Sequence, residues 1–170
     1  ITAVNDAPVA SGSATLVAVN EDTASPSGAT VSSLFSGNFS DSTDTVSGGS
    51  SANTLAGIAI TSYTRDATKG EWQYSTNGSS WTTIGSSISA ASSSLTFKST
   101  DYLRFLPAAN WNGSAPTLTV VLIDSSATVT TNATVDVSTR GGTTAYSSST
   151  VTLSNTVNAV NDAPVASRSA

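Results

Sequence analysis

Cysteine, methionine and histidine are absent from the 170 residues of this chain, and each absence closes off chemistry. Without thiolate and imidazole donors a zinc centre loses its ordinary ligands. Without a histidine base the common nucleophilic triads cannot be assembled. The lack of cysteine also removes disulfides, so an extracellular protein of this kind needs another stiffener, and bound cations are the usual one. Charge is scarce as well: 10% of residues are charged, six basic against eleven acidic, for a net charge of −5. That acidic balance repels nucleic acid and anionic lipid, and neither is an expected partner. No apolar run approaches the roughly 20 residues that span a bilayer, and residues 1–10 have neither the basic nor the apolar region of a signal peptide. The chain reads as a segment of something larger, with no membrane contact of its own.

What the sequence does have is small residues. Serine (33) and threonine (27) supply 60 of the 170 positions. Such bias can mark disorder, but 38% apolar residues and so little charge describe a chain able to bury a core. The clearest internal signal is a repeat: Ala3–Ser11, Ala-Val-Asn-Asp-Ala-Pro-Val-Ala-Ser, returns letter for letter as Ala159–Ser167, 156 positions later. One full period of a tandem array is therefore expected, with joints at residues 1–8 and 161–170 around a single repeat, 9–160. Pro8 and Pro164 fix φ and bias the preceding residue toward extended backbone, which makes each joint short and stiff.

Between the joints the apolar pattern alternates. Leu118, Val120 and Leu122 share one face of a strand over 117–123; Val151, Leu153, Val157 and Ala159 share a face of another. Further strands are expected over 15–19, 30–35, 57–63, 94–97, 102–106 and 128–137, separated by Ser/Gly clusters. This density of strands and turns predicts an all-β fold, an immunoglobulin- or cadherin-like Greek-key β-sandwich. A period of 156 residues exceeds such a sandwich, so extra strands or an insertion are expected within 46–88 or 127–149. Glu71–Ile84 reads as a hairpin turning on Asn77-Gly78 in a type I′ turn, which sets Tyr74 opposite Trp81, Trp72 opposite Thr83, and Trp72, Tyr74 and Trp81 on one face.

Seven of the eleven acidic residues fall where a folded sandwich can bring them to its two ends: Asp6, Glu21, Asp22, Asp41, Asp44, Asp124 and Asp162. Hard cations such as Ca²⁺ take six to eight oxygen ligands from flexible loops, mixing carboxylates with Asn side chains and backbone carbonyls. Solvated surface charge is the competing account of any one of these residues.

Four segments, Asn5-Asp6-Ala7-Pro8, Asn20-Glu21-Asp22, Phe39-Ser40-Asp41-Ser42-Thr43-Asp44 and Leu103–Gly113, resemble the cadherin-like extender repeats of giant bacterial RTX-type surface adhesins, and the resemblance covers nearly the whole chain. It implies an extracellular location on a bacterial surface, adjacent copies of the same repeat as partners, and Ca²⁺ at each joint. Asn5, Asp6, Asp41, Asp44 and Asp124 would belong to the amino-terminal joint; Glu21, Asp22, Asn161 and Asp162 would belong to the carboxy-terminal one. Ala7 and Ala163 stand where cadherins carry a second Asn, and the loop spacing is Asp-x-x-Asp, so fewer ions per joint are implied.

Three functions follow. A non-catalytic structural extender would add roughly 35 to 50 Å per repeat at about 3.3 Å per strand residue. A ligand-binding module would recognise glycan or peptide through Trp72, Trp81 or Trp111. A hydrolase would need two carboxylates flanking a cleft, and Glu71 with Asp101 is the pair available, with no motif to support it.

Overall fold

The computed structural model describes residues 2–168; the outermost residues of the two expected joints, Ile1, Ser169 and Ala170, lie outside the described ones. The chain is mostly β, and its strands form several sheets. The largest has six strands in the order Ala133–Val135, Ser94–Lys98, Leu55–Ser62, Leu118–Asp124, Tyr146–Ser154 and Ala14–Thr15. A second has four: Ala29–Thr30, Tyr102–Pro107, Gly70–Ser75 and Thr82–Thr83. Two small sheets close the ends, one pairing Val9–Ala10 with Phe39–Ser40, the other joining Gly113–Ser114, Thr156–Asn158 and Val19–Asn20.

The central strand explains the layering. Leu118–Asp124 reads Leu-Thr-Val-Val-Leu-Ile-Asp and is buried along almost its whole length, as a strand covered on both faces must be. Leu118, Val120 and Leu122 point into the core shared with Trp72, Leu103 and Phe105 of the four-stranded sheet. Val121 and Ile123 point the other way, against Val129 and Val137. The segment from Ala127 to Val137 thus supplies a second cover, inside one of the two stretches expected to hold extra residues. Leu55–Ser62 and Gly70–Ser75, in the other stretch, are instead central strands of the two main sheets.

Three local expectations give way. Residues 128–137 do not form one strand: only Ala133–Val135 pairs, with Ser94–Thr96, while Asn132 and Val137 donate their N–H groups to the Thr96 and Ala91 carbonyls as the chain crosses the sheet. Residues 15–19 split into Ala14–Thr15 and Val19–Asn20, which add in parallel to Leu153–Ser154 and Val157–Asn158. Asn155 makes that split: it is 2% exposed, and its amide donates to the Leu16 and Val17 carbonyls at 3.2 and 2.9 Å. Residues 30–35 form the short helix Val31–Phe35 after a two-residue strand. Thr30 caps it by accepting from the Ser33 N–H at 3.1 Å, and Val31 and Phe35, four apart, place both buried side chains on one helical face.

No helix among the described residues is long and apolar enough to cross a membrane. Phe105 sits at the centre of the main core, edge-on to Trp72 at 5.5 Å and to Trp111 at 6.3 Å between ring centroids. Truncation there leaves a cavity between the sheets, so Phe105→Ala should lower the unfolding free energy by about 3–5 kcal/mol in a urea titration. Thr30→Ala should cost about 1 kcal/mol, the loss of one helix cap.

Candidate cation sites

Asp124 ends the central strand, fully buried. Its Oδ1 accepts from the Ser126 N–H at 2.8 Å, and its Oδ2 accepts from the Asn5 amide at 3.3 Å. Asp41 and Asp44 are 4% and 7% exposed; Asp41 precedes the single-turn 3-10 helix Ser42–Asp44 and Asp44 ends it. One Asp44 oxygen accepts the Asp6 backbone N–H at 2.8 Å and the other accepts from the Asn53 amide at 3.0 Å. Asn53 is the hub: its amide also donates to Asn5 Oδ1 at 2.7 Å, its N–H donates to Asp41 Oδ2 at 2.6 Å, and its Oδ1 accepts from Ser125. Asp41 Oδ1 is buried with no hydrogen-bond partner.

Four of the five residues expected at this joint therefore meet: Asn5, Asp41, Asp44 and Asp124. The Asp6 carboxylate does not join them, because Asp6 is exposed and only its backbone is engaged. Among the described residues the ion pairs are Arg65–Glu71 and Lys69–Asp66, both elsewhere. Burial is the main cause that holds the Asp41 carboxyl above its usual 3.8, with the charges of Asp44 and Asp124 adding to it and the Asn53 N–H opposing it. Three buried carboxylates without a cationic side chain form an unbalanced charge, and buried charges are normally paired or bound to a metal. The donors are all oxygens, which suits Ca²⁺ and not zinc. Among the described residues no group of three or more Asp, Glu, His or Cys side chains lies together as holding a metal ion would require; Asn53 stands between the carboxylates and is the ligand-type residue that the spacing of the acidic residues does not reveal.

At the other end, Glu21 is 6% exposed and accepts from the Val160 N–H at 2.6 Å and the Asn112 amide at 3.0 Å. Asp22, with φ at +62°, accepts from the Asn110 N–H at 2.8 Å. Glu21 and Asp22 are thus gathered with the Asn110–Asn112 turn, while Asn161 and Asp162 project outward, exposed. The two groups lie at opposite ends of the central strands: Asp124 pairs with Leu55 at one end, whereas the chain passes Leu153, opposite Leu118, before it reaches Val160 at the other.

The three tryptophans have separate places. Trp72 is fully buried, with its indole N–H donating to the Pro116 carbonyl at 2.6 Å. Trp111 is half-buried against the core rim. Trp81 is half-buried too, with the Arg104 guanidinium 4.2 Å from its ring centre, and Gly28 (φ +68°) lies so close that a Cβ there would come within 2.8 Å of the ring. The expected hairpin register is one residue off. Tyr74 pairs with Thr82 and Gln73 with Thr83, since the loop is longer than a two-residue turn: Asn77 Oδ1 accepts the N–H groups of Ser79 and Ser80, and Gly78, but not Asn77, has positive φ. Alternation then sends Trp72 and Tyr74 inward opposite Phe105 and Leu103, and leaves Trp81 over Arg104 on the outer face. The three rings do not share a face.

Glu71 is held by Arg65, whose Nε donates at 3.0 Å. Asp101 is 2% exposed and accepts from the Lys98 N–H and the Thr131 hydroxyl, both at 2.7 Å. Each carboxylate thus fastens its own loop or strand.

Comparison with known protein families, with curated proteins and with solved structures gives no match.

Asp41 sets a pH dependence whose sign is fixed. The folded state binds this proton more tightly than the unfolded chain does, so the contribution is full below the usual carboxylate value and fades as pH rises through the raised one. In chelator, acidification from neutral toward about pH 4.5 should raise the melting temperature of the wild type relative to Asp41→Asn, and thermal scans of the pair across that range measure it.

Proposed function

We propose that the chain is one unit of a tandem array, a non-catalytic structural extender of a repetitive bacterial surface adhesin, with an immunoglobulin- or cadherin-like Greek-key topology and with calcium at its joints. The observation that carries this reading is the network in which Asn5 of the duplicated joint bonds Asp124 directly and reaches Asp41 and Asp44 through Asn53, the three carboxylates buried without an ion-pair partner among the described residues and one Asp41 oxygen unpartnered. Asp41, Asp44, Asp124, Asn5 and Asn53 are the residues that would hold the ion. A bound divalent cation supplies the positive charge that these carboxylates lack.

The rest of the chain agrees with a spacer. The joint sequences leave from opposite ends of the central strands, which is what lengthening an array requires. Tyr146 to Val160 alone, at about 3.3 Å per residue, covers roughly 45 Å. At the carboxy-terminal end Glu21 holds the root of the second joint through the Val160 N–H, and Asn161 and Asp162 are presented to whatever follows. In an array, the Asn161 position of one unit takes the role Asn5 has here, so each joint draws ligands from two neighbours. None of the three tryptophans stands free as a stacking platform, and Glu71 and Asp101 are both committed to local structure, so binding of glycan or peptide and hydrolysis gain no support.

A two-repeat chain tests the reading. A cation that binds only the folded state stabilises by RT ln(1 + [L]/Kd), about 2.7 kcal/mol at a hundredfold excess over Kd. The two-repeat chain should therefore melt higher in calcium than in chelator, and small-angle scattering should find it extended in calcium and articulated in chelator. Asp41→Asn in both repeats should remove most of the melting shift. An identical shift and profile in that variant would refute calcium at the joint and leave Pro-stiffened packing to hold it.

A further inference from the structure

The loop that shifts the hairpin register also brings reactive groups together. Ser75 ends the strand Gly70–Ser75, where it pairs with Tyr102, and is 1% exposed. Its hydroxyl donates to Asn77 Oδ1 at 3.0 Å and accepts the Gly78 N–H at 2.9 Å and the Asn77 N–H at 3.2 Å, which is all a hydroxyl can do. Asn77 Oδ1 accepts two more bonds, from the Ser79 and Ser80 N–H groups, both at 2.9 Å. Among the described residues every hydrogen bond of this side chain goes to its oxygen, so Nδ2 is untethered, and the residue is exposed to water. Gly78 follows at φ +73° and has no Cβ to crowd its nitrogen.

The Asn77 side-chain carbonyl, the Gly78 nitrogen next to it and one hydroxyl bonded to both are the parts of an intramolecular acyl transfer. We propose that Asn77-Gly78 is a self-modification site, at which the folded loop converts Asn77 to aspartate with water as co-reactant and ammonia as leaving group. The Gly78 nitrogen attacks Asn77 Cγ; its proton passes to Ser75 Oγ while the Ser75 proton passes to Oδ1. The Cγ–Nδ2 bond then breaks, the Oδ1 proton departs with the ammonia, and a succinimide ring remains. Water adds at Cγ, the bond from Cγ to the Gly78 nitrogen breaks, and a proton returns to that nitrogen. The Ser79 and Ser80 N–H groups already bond the oxygen on which charge develops in both steps, as an oxyanion hole does. The same two donors favour water at Cγ over the backbone carbonyl, so the ring opens to aspartate and not to isoaspartate. Aspartate keeps the acceptor on which the loop is built and adds one negative charge.

The chain holds a second Asn-Gly pair, Asn112-Gly113, built differently. There the amide nitrogen is tied, donating to Glu21 Oε2 at 3.0 Å, and Gly113 lies in a strand paired with Val157. Loss of ammonia would break that bond and set a new carboxylate against Glu21, which like charge opposes. Asn112 is therefore an internal control: the same dipeptide without the relay. The proposal requires neither a cation nor the extender reading, because it rests on the hairpin loop alone.

Peptide mapping by mass spectrometry, on the full chain incubated in mildly alkaline buffer, tests this. Conversion is expected several-fold faster at Asn77 than at Asn112. It should slow several-fold in Ser75→Ala and return in Ser75→Thr, which keeps a hydroxyl, with thermal melts showing both variants folded. Chromatographic separation of the products should find a larger share of aspartate over isoaspartate at position 77 in the folded chain than in the same chain in guanidinium chloride. Conversion at Asn77 no faster than at Asn112 overturns the proposal, and this comparison needs no variant. So does a folded Ser75→Ala chain that converts at the wild-type rate, or an isoaspartate share that folding does not change.

Discussion

A carboxylate at the end of a strand buried on both faces is the constraint from which the rest of this fold can be understood. Asp124 follows five apolar residues packed on one side or the other of the central sheet, and its burial is complete. Everything around it answers that burial. Ser126 turns the chain back onto one oxygen, the amino-terminal segment brings Asn5 to the other, and Asn53 ties the same segment to Asp41 and Asp44. The amino-terminal segment is held by these hydrogen bonds together with the burial of Pro8 and Ala10, while Val4 and Val9 remain exposed. Desolvated charge in this position is costly unless compensated, and that cost is a physical reason for a cation.

The strand framework was legible in the sequence where apolar residues alternate or run continuously. The strands around Ile58, Phe97, Phe105 and Val120 were expected within a residue or two of where they lie, whereas the one around Leu153 begins earlier, at Tyr146, and breaks at Asn155. Legibility failed where a single polar side chain decides the path. Thr30 turns an apolar stretch from strand to helix by capping it, and Val31 and Phe35 satisfy a helical spacing as readily as an alternating one. Asn155 diverts the chain between sheets. Asn77 widens a loop by accepting two N–H groups and shifts the hairpin by one, which moves Trp81 to the other face. The acidic residues of the site could be listed from their placement, but Asn53 could not: it is 48 positions from Asn5 and 71 from Asp124, beyond what local spacing can detect, and Ser-rich flanks give it no signature.

The serine and threonine content has a structural use that composition alone leaves open. Ser147 donates and accepts in the place of a backbone group: its hydroxyl accepts the Leu122 N–H at 3.0 Å and donates to the Ser149 carbonyl at 2.7 Å, next to the register shift between Val121 and Ile123. Thr96 donates to the Thr130 carbonyl, Ser75 accepts the N–H groups of Asn77 and Gly78, and Thr131 secures Asp101. Small hydroxyls stand in for missing ladder partners wherever strands shift, end or cross, as buried backbone groups require. A chain with many short strands has many such places.

The parallel pairing of two early strands with the last two bears on how the molecule carries load. Ala14–Thr15 lies beside Leu153–Ser154, and Val19–Asn20 beside Val157–Asn158, each pair running in the same direction. The chain enters at the Asp124 end and leaves at the Val160 end, so a pull between its two ends slides these neighbours along one another. Their hydrogen bonds then lie across the direction of pull and are strained together, in shear, whereas a hairpin pulled from its open end would unzip one bond at a time. Resistance to stretching is in this way a property of strand direction, set by where Asn155 lets the chain change sheets.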